Sequence, residues 1–294
     1  MQRIIPYLWF DKEAVEAAKL YVSLFENSKI INTTIIPDTP SGDAETVAFQ
    51  LANLELSAIS AGPYFKLNPS ISLMVACGTS EEVDRLHTAL VNNGTELMPL
   101  GEYPFSKRYA WVQDRFGVNW QLMLVENIEE HKQKIRPTFL FSGVACGKAE
   151  EAINYYVSVY DNSNKGFINY YGEGEASDIR AKVNYAEFNI RDLELIAMDH
   201  GFGEDFTFNE AFSFMVMCDT QEEIDRYWNK LSFVPEAEQC GWAKDQFGVS
   251  WQIVPANMGE MMSKGTPEEI SRITEAFLKM KKFDIAALEK ARLG

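Results

Sequence analysis

The sequence predicts an α+β fold in which two copies of one domain follow each other and a short helical tail ends the chain. The string Asp-x-Phe-Gly-Val-x-Trp-Gln occurs twice, beginning at Asp114 and at Asp245. Two other strings recur in the same order, beginning at Glu16 and Glu81 and then at Glu151 and Glu222. Such ordered self-similarity indicates a duplicated domain. Strand patterns alternate with single helices in each copy, which is typical of an α+β fold rather than a doubly wound sheet.

The first copy divides into two successive βαβββ modules. In the first module, strand alternation over residues 4–10 gives way to helical spacing over 11–26. Three strands are then predicted, over 30–36, 46–51 and 54–60. The second module is predicted to contain a strand over 71–76, a helix from its cap at Thr79 to about Asn92, and strands near 109–113 and 118–125. The second copy repeats this plan, so we expect four modules in all.

The pattern also predicts the domain boundaries and a helical tail. We expect a first domain over 1–126, a linker over 127–135, a second domain over 136–256 and a tail over 257–294. Thr266 followed by proline is a strong helix start, and Asp284 is suited to cap a last short helix. We expect the tail to pack across the two domains.

The composition restricts the classes of partner. The 294 residues include 27 Lys and Arg against 43 Asp and Glu, a net charge of −16. A surface that acidic repels phosphate backbones and anionic lipids, so nucleic acid and membrane partners are not expected. No basic start with a long apolar run opens the sequence, and no apolar stretch is long enough for a membrane span. The four cysteines form no Cys-x-x-Cys pair. We expect a cytoplasmic protein with reduced thiols.

The repeated strings resemble a known superfamily. Those beginning at Glu16, Glu81 and Asp114, and in the second copy at Ser213 and Cys240, are similar to the vicinal oxygen chelate superfamily, which includes glyoxalase I and bleomycin-resistance proteins. They are most similar to its PhnB-like branch, often labelled 3-demethylubiquinone-9 3-methyltransferase-like. The resemblance implies two tandem glyoxalase-like domains whose strands curl around an open, ligand-binding cavity.

The resemblance also implies where metal-dependent relatives bind their ion. Their imidazole, Gln and Glu ligands lie on the first, fifth and last strands of a domain. The first-strand position falls at Ile5 in copy one and at Arg136 in copy two, or at the proline that follows each. The glutamate position matches Gln121 and Gln252. Neutral amides alone are poor ligands for such an ion. We therefore expect no metal site, and we assign no cofactor.

Strand alternation predicts which residues face the two cavities, because side chains two apart lie on one face of a sheet. The predicted wall in copy one contains Tyr7, Trp9, Ser72, Gln121 and Met123. The predicted wall in copy two contains Arg136, Thr138, Ser213, Met215 and Gln252. An apolar, ring-lined pocket with a few amides and hydroxyls suits a small organic ligand. The alternative is that these side chains simply fill each hollow.

Three other features have a chemical and a structural interpretation. Glu55 and Glu194 occupy equivalent Leu-Glu-Leu hairpins and could act as general bases, although a turn residue exposed to solvent explains them as well. Cys240 could be a nucleophile, but no imidazole is placed near it by the pattern. The Gly-rich strings at Gly172 and Gly201 are not followed by a helix pattern, so they do not predict a nucleotide-type cofactor site.

These observations favour a metal-independent protein that binds a small organic molecule of unknown identity. One alternative is an enzyme, either a methyltransferase, as the label of the branch suggests, or a glyoxalase-like lyase; no catalytic residue is assigned. Another is a structural protein whose hollows are filled. We expect the two domains to pair within the chain, with a homodimer as a further arrangement.

Overall fold

The structure is a computed structural model that describes residues 2–203 and 206–294. The first copy contains β1 (Ile4–Phe10), α1 (Ala14–Leu24), β2 (Lys29–Thr39), β3 (Gly42–Leu51), β4 (Leu54–Ser60), β5 (Ile71–Cys77), α2 (Ser80–Leu90), β6 (Thr95–Tyr103), β7 (Ser106–Gln113) and β8 (Asn119–Leu124). The second contains β9 (Ile135–Phe141), α3 (Ala149–Val159), β10 (Asn164–Tyr170), β11 (Val183–Ile190), β12 (Leu193–Asp199), β13 (Phe212–Cys218), α4 (Gln221–Leu231), β14 (Trp242–Lys244) and β15 (Ser250–Pro255). The tail contains α5 (Met258–Lys264), α6 (Pro267–Leu278) and α7 (Ile285–Leu293).

The strands form two mixed sheets, and each sheet takes one module from each copy. Sheet A has seven strands in the order β14-β15-β13-β1-β4-β3-β2, and sheet B has eight in the order β10-β11-β12-β9-β5-β8-β7-β6. The two copies meet where β1 pairs antiparallel with β13 and where β5 pairs antiparallel with β9. The predicted α+β fold with two tandem copies and C-terminal helices is confirmed.

The fourth module differs from the other three because it has one strand fewer. The chain between α4 and β14, residues 232–241, is shorter than the equivalent chain over 91–105, which forms β6. A short 3-10 helix at Pro235–Ala237 stands in its place. Strand β6, which belongs to the second module, is not predicted from the sequence, because its buried and exposed positions do not alternate regularly.

The C-terminal tail occupies the edge that this shorter module leaves open. The amide of Cys240 donates to the carbonyl of Met280 at 2.8 Å, and the amide of Gly241 donates to the carbonyl of Lys281 at 2.7 Å. Helix α6 begins with a capping box at Thr266, as predicted, and packs against β2 of the first module. The tail therefore contacts both copies.

The main core lies between the two sheets, where alternate residues of every central strand meet the helices. Phe139 of sheet B contacts Phe214 of sheet A, with ring centroids 5.2 Å apart. Trp120 and Trp251 from the repeated string are fully buried in the same cluster. The opposite residues of each strand face outward, onto the concave side of the sheet.

A buried carboxylate organises the repeated string in each copy. Tyr21 on α1 donates to Asp114 Oδ2 at 2.7 Å, and Trp120 Nε1 donates to the same oxygen at 2.9 Å. The amides of Phe116 and Val118 donate to Asp114 Oδ1 at 2.8 and 3.0 Å. Because Tyr21 belongs to the module in sheet A and Asp114 to the module in sheet B, this carboxylate ties the two modules of one copy together.

The second copy repeats the arrangement around Asp245. Its carboxylate accepts from Tyr156 at 2.7 Å and from Trp251 Nε1 at 2.8 Å, and it also accepts two amides of its own turn. Burial raises the pKa of Asp245 to about 6, although these hydrogen bonds oppose the rise. The repeated Asp-x-Phe-Gly-Val-x-Trp-Gln string therefore stabilises the core.

We expect Asp245→Ala to lower the free energy of unfolding by about 3 to 5 kcal/mol, because a buried hydroxyl, an indole N–H and two amides lose their acceptor. Urea denaturation would measure the change. The matched control is Asp225→Ala, which removes an exposed carboxylate paired with Lys282 and should leave the midpoint nearly unchanged. Equal effects of the two substitutions would contradict the role given to Asp245.

Candidate functional site

The concave face of sheet A encloses a cavity of about 650 Å³ beneath the helices of the tail. Four of the predicted site residues line it, namely Tyr7, Trp9, Met215 and Gln252. The rest of the wall comes from β2, β3 and β4 on one side and from the tail on the other. We call this space the sheet A cavity.

One side of the sheet A cavity is a group of fixed aromatic rings. The rings of Tyr7 and Trp9 lie 6.3 and 6.2 Å from the ring of Trp242, each in an edge-on arrangement. Trp9 Nε1 donates to the carbonyl of Gly62 at 2.8 Å, which fixes its orientation. Burial raises the pKa of Tyr7, so its hydroxyl stays protonated at neutral pH.

The polar groups of the sheet A cavity are few. Gln252 Nε2 donates to Ser213 Oγ at 2.9 Å, so the amide is held in one orientation by a fully buried serine behind it. Within the described residues, no protein group donates to Gln252 Oε1, which faces the cavity. Glu55 and Ser57 on β4 also line the space and are half-buried.

The other predicted site residues lie on the concave face of sheet B. Gln121 Nε2 donates to Ser72 Oγ at 2.8 Å, as in sheet A, but here Tyr109 also donates to Gln121 Oε1 at 2.7 Å. Thr138 pairs with Ser72 across β9 and β5, and Met123 follows Gln121 on the same face. The amide of Gln121 is therefore fully engaged within the protein.

An ion pair between buried Arg136 and half-buried Glu187 occupies the middle of the sheet B face. Arg136 Nη1 lies 2.8 Å from Glu187 Oε1, and the Arg136 side chain is only 4% exposed. Tyr185 donates to the same carboxylate oxygen at 2.7 Å. Burial alone would raise the pKa of Glu187, but hydrogen bonds from Tyr185 and Arg136 outweigh it and lower that pKa. A hollow of about 610 Å³ beside this pair has a mostly charged and polar lining, including Glu194.

Strand register explains why the two faces differ. Tyr7 pairs with Ser57 in sheet A, and Thr138 pairs with Ile196 at the equivalent place in sheet B. One strand further out, Ala48 pairs with Ser57, whereas Glu187 pairs with Ile196. Small residues in sheet A thus correspond to larger ones in sheet B. The sheet A cavity is open because Ile5, Ala48 and Ser57 replace Arg136, Glu187 and Ile196.

The predicted grouping of the wall residues by copy is wrong. The sequence predicts Tyr7 and Trp9 on one wall with Gln121, but they lie on sheet A beside Met215 and Gln252. The reason is that each sheet joins modules from both copies, and strand alternation carries no information about such distant partners. The regrouped residues are Tyr7, Trp9, Ser213, Met215 and Gln252 on sheet A, and Ser72, Gln121, Met123, Arg136 and Thr138 on sheet B.

Several lining residues are absent from the predicted set. Met258 and Met262 of α5, Phe277 of α6, and Phe283 contribute to the cavity wall. No signal in the sequence places them there. Glu55 is different, because its recurrence as Glu194 is visible; the alternative of an exposed turn residue is wrong, since Glu55 is half-buried on β4 and lines the cavity.

The residues at the positions of the metal ligands do not fit a divalent ion. In sheet A, Ile5 pairs with Met215, and Met215 pairs with Gln252, so the row across three strands offers a single amide oxygen. The equivalent row in sheet B contains Arg136, whose charge would repel a cation. Among the described residues, no group of three or more His, Cys, Asp or Glu side chains could hold a metal ion.

The comparisons with known proteins agree with this architecture. The family model described as 3-demethylubiquinone-9 3-methyltransferase matches residues 2–123 and again 133–254. No protein of curated function matches the chain. In the described part of the chain, every helix is too short or too polar to cross a bilayer.

Some solved structures match less than half of the chain, and others match most of it. The PhnB protein from Bacillus cereus is 36% identical over 42% of this chain and 100% of its own, with a TM-score of 0.40. A protein from Staphylococcus aureus is 35% identical over 43% of this chain and 98% of its own, with a TM-score of 0.19. Glyoxalase I from Zea mays is only 10% identical but covers 86% of this chain and 94% of its own, with a TM-score of 0.53, and so shows the fold alone.

The recurrent family match covers most of the chain, and glyoxalase I shares the fold, so the resemblance inferred from the repeated strings is confirmed. The chain belongs to the 3-demethylubiquinone-9 3-methyltransferase family, in its PhnB-like form with a vicinal oxygen chelate fold and two tandem domains.

Proposed function

We propose that the sheet A cavity binds a small, largely apolar organic molecule without the help of a metal ion. The observation that carries the proposal is the contrast between the two sheets. Both sheets have a Gln side chain that donates to a buried Ser. On sheet B, Tyr109 also donates to the Gln amide, and Arg136 with Glu187 fills the adjacent space, whereas sheet A has no such groups among its described residues.

The size and lining of the cavity support this proposal. Ligand sites commonly enclose about 300 to 1,000 Å³, with mostly apolar walls and a few oriented polar groups. The sheet A cavity, at about 650 Å³, falls in this range. An apolar ligand in this space would remove apolar wall from water, which is favourable.

The methyltransferase alternative is supported by the family description, but no feature of the described site supports either enzymatic alternative. Gly172 and Gly201 lie in loops that lead into strands β11 and β13, so neither loop opens a helix of the kind that holds a nucleotide-type cofactor. Burial raises the pKa of Cys240, which disfavours the thiolate that a nucleophile requires. We assign no catalytic step. Saturable binding of S-adenosylmethionine would support the methyltransferase alternative instead.

Sheet B has a supporting role in this proposal. The second module of copy one and the first module of copy two are joined there by the antiparallel pairing of β5 with β9, and the engaged amide and the Arg136–Glu187 ion pair each stabilise one of the two modules. We also propose that the protein acts in the cytoplasm on a small molecule rather than on nucleic acid, in line with its four free cysteines and its net charge of −16.

The neutral fluorophore N-phenyl-1-naphthylamine should bind saturably at one site per chain and become brighter. Ser57→Trp and Ala48→Trp place a large ring in the cavity and should each weaken this binding at least about tenfold. The control Ser57→Ala removes only a hydroxyl and should bind like the wild type. Thermal unfolding of each variant checks that the fold is retained. Folded tryptophan variants that bind as well as the wild type would refute the proposal.

Chelation tests the metal-independent part of the proposal. The affinity for N-phenyl-1-naphthylamine should be the same before and after dialysis against EDTA, because the wall offers one amide oxygen where an ion would need about three donors. Elemental analysis of the purified protein should find well under one transition-metal ion per chain. Binding that disappears on chelation and returns with zinc or nickel would show that the proposal is wrong.

A further inference from the structure

The single charged group of the sheet A cavity is a carboxylate with no cationic partner in the wall. Among the described lining residues Glu55 alone is charged, and no Lys, Arg or His is one of them. Gln252 presents its carbonyl oxygen, because its amide nitrogen is already bonded to Ser213. A ligand that satisfies these groups must donate hydrogen bonds.

In sheet B the equivalent carboxylate shares its hollow with cationic side chains of the protein. Glu194 is the counterpart of Glu55, and the hollow that it lines also contains Arg136. At the position of Arg136, sheet A has Ile5. The acidic residue is thus kept in both sheets, whereas the protein's own guanidinium is found in only one.

The backbone of Glu55 is held in place at the wall by the side chain of Gln2. Gln2 Nε2 donates to the Glu55 carbonyl at 3.0 Å, and the Glu55 amide donates to Gln2 Oε1 at 3.0 Å. Gln133 makes the same two bonds to Glu194 in sheet B. These paired hydrogen bonds fix the backbone at each glutamate, so the two side chains project from equivalent positions of their strands.

We propose that the ligand of the sheet A cavity is an organic amine, protonated at neutral pH, whose ammonium group supplies the positive charge that the wall of sheet A lacks. This inference rests on the proposed binding function and adds the chemical class of the ligand. The ammonium donates to the carboxylate of Glu55, and the apolar body lies toward Met215, Gln252 and the aromatic side. A carboxylate ligand is disfavoured, because it meets acceptors of its own sign.

Three ten-carbon compounds that differ only in the head group test the inference: decylamine, decanol and decanoate. Each competes with N-phenyl-1-naphthylamine at constant ionic strength. Decylamine should displace the probe at a concentration at least about tenfold lower than decanol, and decanoate should be the weakest. Glu55→Gln should remove the advantage of the amine and leave decanol unchanged, which also shows that this variant is folded.

The control for the overall negative charge is Glu194→Gln, which makes the same substitution at the equivalent site of sheet B. It should leave the preference for decylamine intact. If decylamine and decanol compete equally, or if both glutamate variants reduce the amine preference alike, the amine inference fails while the binding function stands. If neither the probe nor decanol binds to the wild type, the proposed function itself fails.

Discussion

The structure depends on one interaction made twice, a buried aspartate that joins the two modules of its copy. The two modules of each copy lie in opposite sheets, so their strands do not hydrogen-bond to each other. Asp114 and Asp245 each collect a tyrosine from the first module and a tryptophan from the second. Removing such a charge from water is costly, and four hydrogen bonds offset that cost only in part, as the raised pKa of Asp245 indicates. The position therefore tolerates no other arrangement of the turn.

Because each copy straddles both sheets, each concave face is shared by two copies and can differ from the other without disturbing the core. The differences are coupled. A buried guanidinium such as Arg136 is stable only with partners, so Glu187 and Tyr185 accompany it. In sheet A the equivalent of Arg136 is Ile5, which needs no charged partner. The positions of β3 that match Glu187 and Tyr185 are Ala48 and Thr46, and these small side chains leave open space.

Local signals in the sequence are enough to predict the duplication, most strands and the inward orientation of Gln121 and Gln252, because period-two alternation acts over a few residues. The pairing of β1 with β13 spans most of the chain, and no local pattern records it. For this reason Tyr7 and Gln121 are assigned by the sequence to one wall but lie on different sheets. The contribution of Phe277 and Phe283 was equally hidden, since it follows from the short fourth module and the tail that docks on its edge.

The sheet A cavity draws on the two extremes of the chain, from Gln2 at one end to Phe283 at the other. During synthesis, the first module emerges long before its partner strands β13 to β15 and the roof of tail helices exist. The recess can only be assembled after the tail helices have left the ribosome. A nascent chain that lacks them would therefore carry an uncovered apolar strand face, and a ligand would recognise only molecules in which the tail has docked.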